Sequence, residues 1–178
     1  MKLTKTTDVR NYKSPYIIAE LGANHNGDMN LAKQLIIEAK EAGADCVKFQ
    51  MRNVGKLYKN NGKSDDISAD LGTQYVLDLL CRFQLSNNDL LEVFDYCKGK
   101  GKEPLCTPWD LESLKILEDY GMLAYKVSSA DMTNTELLAA LSRTNKPLIC
   151  STGMSTEVEI KNSNSKNILL ENQIKVRI

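Results

Sequence analysis

The sequence predicts an α/β fold with a parallel sheet, because short apolar strands alternate with helices along most of the 178 residues. The strands are too short and too apolar to be amphipathic, which is typical of a parallel sheet covered by helices. An open doubly wound sheet and a barrel both fit this alternation. Neither GxGxxG nor GxxxxGK(S/T) occurs, so the two common nucleotide-binding open sheets lose support, and a (β/α) barrel of TIM type is favoured.

The chain opens with a predicted strand at residues 16–20 and a Gly/Asn-rich turn at residues 22–27. Asp28 can cap the helix that follows, since its carboxylate can accept bonds from the first helical amides. Apolar residues then recur at helical spacing up to Gly43, which suits the end of a helix. A second strand at residues 46–50 completes the first strand–helix–strand unit.

A long polar segment at residues 51–72 interrupts the alternation, and a loop of this length in a compact domain is usually functional or mobile. A short helix is predicted next, at residues 75–83. The helix after it is clearer, because Ser86 and Asp89 form a possible capping box and the apolar residues behind them share one face.

Three strands and two helices follow the helix that begins near Ser86. Asp110 is positioned to cap the first of these helices. Thr133 and Glu136 form a second possible capping box, which opens the other helix. The flanking strands are predicted at residues 104–106, 122–127 and 147–150.

The regular pattern decays beyond Glu159. Residues 161–167 are polar and low in complexity, and residues 168–170 are a candidate sixth strand. A complete barrel of this type has eight strands and roughly 250 residues. We therefore predict an incomplete barrel domain of five to six strands over residues 1–160 and a divergent, truncated tail over residues 161–178.

Bulk composition excludes several classes of protein. The chain has 23 basic and 23 acidic residues, so no broad field attracts nucleic acid or anionic lipid, and any anion needs a local site. The sequence contains no run of signal-peptide or membrane-spanning length. Five scattered cysteines never form CxxC, which favours reduced thiols in a cytoplasmic protein over a zinc cluster.

Polar side chains stand where the predicted strands end, and in a parallel barrel these ends open onto one pocket. Lys48 alternates with apolar neighbours in its strand, and Lys126 repeats that arrangement. Either lysine alone could pack its stem and reach water, but the pair predicts a cradle for a phosphate and a carboxylate. The candidates at the strand ends are Glu20, Lys48, Gln50, Thr107, Lys126, Ser128, Ser129, Asp131, Ser151 and Thr152.

Several of these residues have two interpretations. Glu20 either accepts hydrogen bonds from backbone amides, or pairs with one of the lysines, or orients substrate. Asp131 either caps the following turn or acts as a general base or hydroxyl-binding group. His25, the only histidine, fits a hydrogen-bonding role better than metal ligation, and Trp109 and Met154 fit packing better than chemistry.

Four segments together resemble the sialic acid synthase family, which includes the legionaminic and pseudaminic acid synthases. They are IIAELGANHNGDMNLAKQLIIEAKEAGADCVKFQ, CTPWD, YKVSSAD and STGM, in the family's order over about residues 16–160. The resemblance implies an eight-stranded (β/α) barrel followed by a small antifreeze-like domain, which closes the active site of the partner subunit in a homodimer.

The resemblance also implies an activity, the condensation of phosphoenolpyruvate with an N-acetylated amino sugar such as N-acetylmannosamine to give a nonulosonic acid and phosphate. Glu20 would contact the sugar, and Asp131 would take the place of an acidic residue near the reacting carbons. A divalent metal, Mn²⁺ or Mg²⁺, would polarise the aldehyde. The residues implied for phosphoenolpyruvate are Lys48, Gln50, Thr107, Lys126, Ser129 and Ser151.

The sequence departs from the family pattern in two respects. The family's metal-binding histidines lie on later barrel strands, and no residue of this sequence takes their place. The antifreeze-like domain is also absent. One alternative is therefore a catalytically inactive, truncated fragment with residual anion binding, and another is a Schiff-base aldolase with Lys48 or Lys126 as the nucleophile.

Overall fold

The computed structural model describes residues 15–53, 79–165 and 174–176. Its strands are β1 (Ile18–Gly22), β2 (Cys46–Met51), β3 (Glu103–Pro108), β4 (Tyr125–Val127), β5 (Leu148–Ser151) and β6 (Ile174–Val176). Its helices are α1 (Met29–Glu41), α2 (Asn87–Gly99), α3 (Leu111–Tyr120), α4 (Thr135–Arg143) and α5 (Glu157–Ser165). Residues 79–82 are also helical.

The six strands form one parallel sheet in the order β1 to β6, so each strand pairs with the next one along the chain. A doubly wound sheet reverses its strand order at a switch point, whereas a (β/α) barrel keeps chain order. The predicted barrel-type α/β fold is therefore confirmed. In the parts of the chain that the structure describes, β1 and β6 do not pair and the sheet is not closed.

The two sides of the sheet face different apolar groups. On the outer side, strand residues such as Phe49 and Tyr125 pack against apolar residues of the helices, among them Ile36, Phe94 and Leu117. The other side, called the inner side below, carries a smaller cluster. The buried residues of that cluster are Cys46, Leu105, Ala124 and Ile149.

Three predicted helix caps are present in the structure. Asp28 accepts a backbone N–H bond from the first turn of α1, at 2.7 Å, and Ser86 and Asp110 do the same for α2 and α3 at 3.1 and 2.8 Å. The predicted cap of α4 is wrong, because Asn134 rather than Thr133 accepts the N–H of Leu137.

Strand bounds differ from the prediction where tertiary contacts decide them. β1 begins two residues late, because Ile17 exchanges hydrogen bonds with Asp45 instead of pairing in the sheet. β3 is longer than predicted, and β4 is shorter.

The structure differs from the prediction most beyond residue 156. α5 continues to Ser165, through part of the stretch expected to be irregular. At its start, the backbone N–H of Thr156 donates to the carboxylate of Glu159, and the backbone N–H of Glu159 donates to the hydroxyl of Thr156. This pair is a capping box that was not predicted from the sequence. The helix crosses residue 160, and the proposed domain boundary there stays a prediction. The candidate strand at residues 168–170 lies outside the described residues.

Candidate functional site

Six of the predicted site residues lie on the inner side of the sheet. Side chains two positions apart on a strand share a face, and each of these residues follows an inner apolar residue by two or four positions. A polar layer therefore lies above the inner apolar cluster, towards the carboxyl ends of the strands. Its members are Glu20, Lys48, Gln50, Thr107, Lys126 and Ser151.

Lys48 is held between neighbours from two adjacent strands. Its Nζ forms an ion pair with Glu20 Oε2 on β1 and donates a hydrogen bond to Thr107 Oγ1 on β3 at 3.3 Å. Only 9% of the residue is exposed, so these neighbours compensate an ammonium group that would otherwise be costly to bury.

Lys126 is held in the same manner on β4. Its Nζ donates to Ser151 Oγ and to the carbonyl oxygen of Val127, both at 2.6 Å. Burial and the positive charge of Lys48 lower the pKa of Lys126 to about 8. Lys48 and Lys126 both lie on the inner side of the sheet, since each follows a buried residue of the inner apolar cluster by two positions.

Glu20 and Gln50 approach each other beside Gly22. A Cβ atom at Gly22 would lie 2.9 Å from Glu20 Oε1 and 3.1 Å from Gln50 Nε2, and the backbone φ of +44° also favours glycine. The end of β1 thus leaves space for two polar side chains to meet next to Lys48.

Arg52 extends the polar layer beyond Gln50, and the sequence analysis missed it. Its Nη2 donates to Gln50 Oε1, and its guanidinium lies 4.7 Å from the ring centroid of Trp109. The side-chain Nε2 of Gln84 donates to the carbonyl oxygen of Arg52 at 2.7 Å. The signal was available in the alternation of Lys48, Gln50 and Arg52 along one strand and its exit.

Asp131 lies in a single 3₁₀ turn, Ser129–Asp131, directly after β4. Its side chain accepts a hydrogen bond from Asn134 Nδ2 at 3.3 Å, and burial raises its pKa. Its other oxygen, Oδ2, is buried with no hydrogen-bond partner among the described residues. No backbone amide of the described residues donates to this side chain, and the chemical role of Asp131 stays a prediction. Ser129 begins the same turn and is half-buried.

His25 is a buried part of the turn between β1 and α1. Its Nδ1 accepts the N–H of Gly27 at 3.1 Å, and burial lowers its pKa, which favours the neutral ring. Across the described ranges, no group of three or more His, Cys, Asp or Glu side chains could hold a metal ion. The described residues therefore offer no fitting ligand set for the divalent metal that the resemblance implies.

An open cleft of about 400 Å³ adjoins the polar layer. It lies between the turn after β1 and the segment that leads into α2. Its lining includes Gly22, His25, Gln50, Arg52, Gln84 and Leu85. Gln50 belongs both to the polar layer and to the lining of this cleft.

The fold and the polar layer define a protein of the (β/α)-barrel class with cationic groups at the carboxyl ends of its strands, where such barrels place their active sites. Residues 35–174 match the model of the NeuB family. The chain belongs to this family, which confirms the resemblance found in the sequence.

Several of its relatives are synthases of legionaminic or pseudaminic acid. An N,N'-diacetyllegionaminic acid synthase from Campylobacter jejuni is 34% identical over 165 residues, which cover 92% of this chain and 49% of that protein. A pseudaminic acid synthase from Helicobacter pylori is 32% identical over 153 residues, 84% of this chain and 44% of that protein. The chain spans about half the length of the curated relatives it matches.

A solved structure gives the same result. The N-acetylneuraminic acid synthetase of Leptospira borgpetersenii superposes with a TM-score of 0.78 at 28% identity, over 91% of this chain and 53% of that one. No helix in the described ranges is long and apolar enough to span a membrane.

Proposed function

We propose that the polar layer of this chain binds phosphoenolpyruvate for condensation with an N-acylated amino sugar. The observation that carries the proposal is the presence of both Lys48 and Lys126 on the inner side of the sheet, each beside a hydroxyl group from the next strand. Phosphoenolpyruvate carries a phosphate and a carboxylate, and two ammonium groups in one pocket suit two anionic groups.

The direction of the hydrogen bonds supports this ligand. Thr107 accepts from Lys48 and Ser151 accepts from Lys126, so the proton of each hydroxyl is left to point at another acceptor. Each ammonium group has three N–H donors. The layer therefore offers several converging donors, as an anion with many acceptor oxygens requires.

The reaction proposed for the family site joins C3 of phosphoenolpyruvate to the aldehyde carbon of an open-chain sugar. Water adds at C2, and the C–O bond to phosphate breaks. Lys48 and Lys126 with their hydroxyl partners hold the enol in place, and Gln50 and Ser129 complete its binding. Glu20 contacts the sugar. Asp131, with its raised pKa, is suited to exchange a proton near the reacting carbons.

Calorimetric titration of the chain with phosphoenolpyruvate tests the binding step. We expect saturable binding that is lost in Lys48→Met and in Lys126→Met, with pyruvate as the control ligand that lacks the phosphate. The absence of saturable heat with the wild-type chain would overturn the proposal. Phosphate release from phosphoenolpyruvate that depends on N-acetylmannosamine tests the condensation, and binding without release would favour the alternative of residual anion binding.

A Schiff-base aldolase is the second candidate, and the lowered pKa of Lys126 favours it, because imine formation needs a neutral amine. Borohydride reduction with pyruvate, followed by mass spectrometry, distinguishes the two. The proposed synthase predicts no covalent adduct, whereas the aldolase predicts one on Lys126. The homodimer and the cytoplasmic location stay predictions.

A further inference from the structure

Gln50 has a side-chain amide whose two ends differ, since its oxygen accepts hydrogen bonds and its nitrogen donates them. Arg52 can only donate, and its Nη2 meets Oε1 of Gln50. Nε2 therefore points the opposite way, within 3.1 Å of the Cβ position that Gly22 leaves empty, where Glu20 Oε1 also lies. An amide held in this orientation presents N–H groups to the polar layer and keeps its carbonyl oxygen away from it.

Arg52 is itself held at several points. Its guanidinium stacks on Trp109, its carbonyl oxygen accepts the Nε2–H of Gln84, and its side chain meets Gln50. A long, flexible side chain that is ordered before the ligand arrives loses less conformational entropy on binding.

We propose that Arg52 is a positioning residue that acts through Gln50 and fixes the amide so that its donor end faces Glu20 and the polar layer, where phosphoenolpyruvate would bind. Without Arg52 the amide can turn over, and its oxygen then faces the polar layer and the anion part of the time. This inference rests on the proposed function, because it takes phosphoenolpyruvate as the anion. It adds to that proposal a residue outside the predicted set.

A double-mutant cycle tests the inference by titrating phosphoenolpyruvate into the full chain. We expect Arg52→Ala and Gln50→Ala each to raise the dissociation constant about tenfold, and the double variant to be no weaker than Gln50→Ala alone. Arg52→Lys keeps the charge without the planar stacked group and is expected to bind with intermediate affinity. Lys98→Ala removes another cation stacked on an aromatic ring, 4.1 Å from Tyr120, and is the control expected to bind like wild type. Effects of Arg52 and Gln50 that multiply to about a hundredfold would overturn the inference, because Arg52 would then act without Gln50.

A spectroscopic measurement on the ligand-free chain separates failure of this inference from failure of the proposed function. The side-chain amide resonances of Gln50 in a ¹H–¹⁵N NMR spectrum should move in Arg52→Ala and stay in place in Lys98→Ala. If the wild-type chain bound no phosphoenolpyruvate, the proposed function would fail while these resonances still decide whether Arg52 orients Gln50. Unchanged Gln50 resonances in Arg52→Ala would overturn the positioning role.

Discussion

Lys126 lies where burial and the charge of Lys48 both disfavour its protonated form, and its pKa falls from an ordinary 10.5 to about 8. Between these two values the folded protein binds fewer protons than the unfolded chain, so this group adds stability as pH rises through that window. An anion beside Lys126 favours the protonated form and reverses the shift. Binding of phosphoenolpyruvate should therefore be coupled to proton uptake.

The first prediction concerns this coupling. We expect the affinity for phosphoenolpyruvate to fall as pH rises above about 8, because the empty site then loses the charge of Lys126. Titration calorimetry between about pH 7 and pH 9, in buffers with different ionisation enthalpies, measures both the affinity and the protons taken up. An affinity and a proton uptake in the wild-type chain that stay constant from about pH 7 to pH 9 would show that Lys126 does not take up the proton.

The second prediction compares two glycines that both have positive φ. Gly22→Ala should lose roughly 1 kcal/mol or more from backbone strain and should also weaken phosphoenolpyruvate binding, because its Cβ meets Glu20 and Gln50. Gly43→Ala has φ +83° with nothing within 4 Å of its Cβ, so it should lose stability only. Urea unfolding and calorimetry measure the two effects, and equal binding by both variants would contradict the close approach at Gly22.

The site residues that could be predicted from the sequence are those with a local signal. The alternation of lysines with apolar residues is local, and it placed Lys48 and Lys126 on the inner side. The alternation also places Arg52 on this side, but it does not reveal that the side chain stacks on Trp109. Trp109 lies 57 positions further along the chain and was assigned to packing. The buried role of His25 likewise depends on a turn geometry that composition does not reveal.

At the scale of elements, the start of α4 depends on Asn134. This residue caps the helix and also donates to the buried carboxylate of Asp131, so it joins an element boundary to a candidate catalytic group.

The third prediction tests that double role. Asn134→Ala should cost about 1 kcal/mol of unfolding free energy through loss of the cap. It should also raise the pKa of Asp131 further, since the bond from Asn134 favours the charged carboxylate. Thr133→Ala is the matched control and should change neither quantity. Urea unfolding and NMR titration of the Asp131 carboxyl measure both, and a larger loss in Thr133→Ala would contradict the observed cap.

Helix starts were predicted better than strand bounds, for a physical reason. A cap is a contact within three residues, so Asp28, Ser86 and Asp110 can be read locally. The bounds of a strand depend on its partner strand. The start of β1 is set by a contact between Ile17 and Asp45, two residues that are distant in sequence. α5 was missed because its polar composition hides a start that Thr156 and Glu159 define.

At the scale of the whole molecule, strand order in the sheet follows chain order. The sequence pattern alone left open a doubly wound sheet, because alternation of strands and helices does not determine which strands are neighbours. The polar layer draws residues from β1 to β5, so a ligand held by Lys48 and Lys126 would contact side chains from more than one strand.

The fourth prediction follows from this shared site. A ligand that contacts several strands binds only the folded state, and at about 100 times its dissociation constant it should raise the unfolding free energy by about 2.7 kcal/mol. Urea unfolding with and without phosphoenolpyruvate measures this change, and pyruvate at the same concentration is the control. An equal gain in Lys48→Met/Lys126→Met would place the ligand elsewhere.

Trp109 is the only tryptophan in the chain, and its ring lies against the guanidinium of Arg52, with its indole N–H buried and unpaired among the described residues. The protein thus carries a built-in optical probe beside Arg52. Its emission should shift to longer wavelength in Arg52→Ala, as water reaches the ring, and a ligand that reorders Arg52 should change its intensity without any added label.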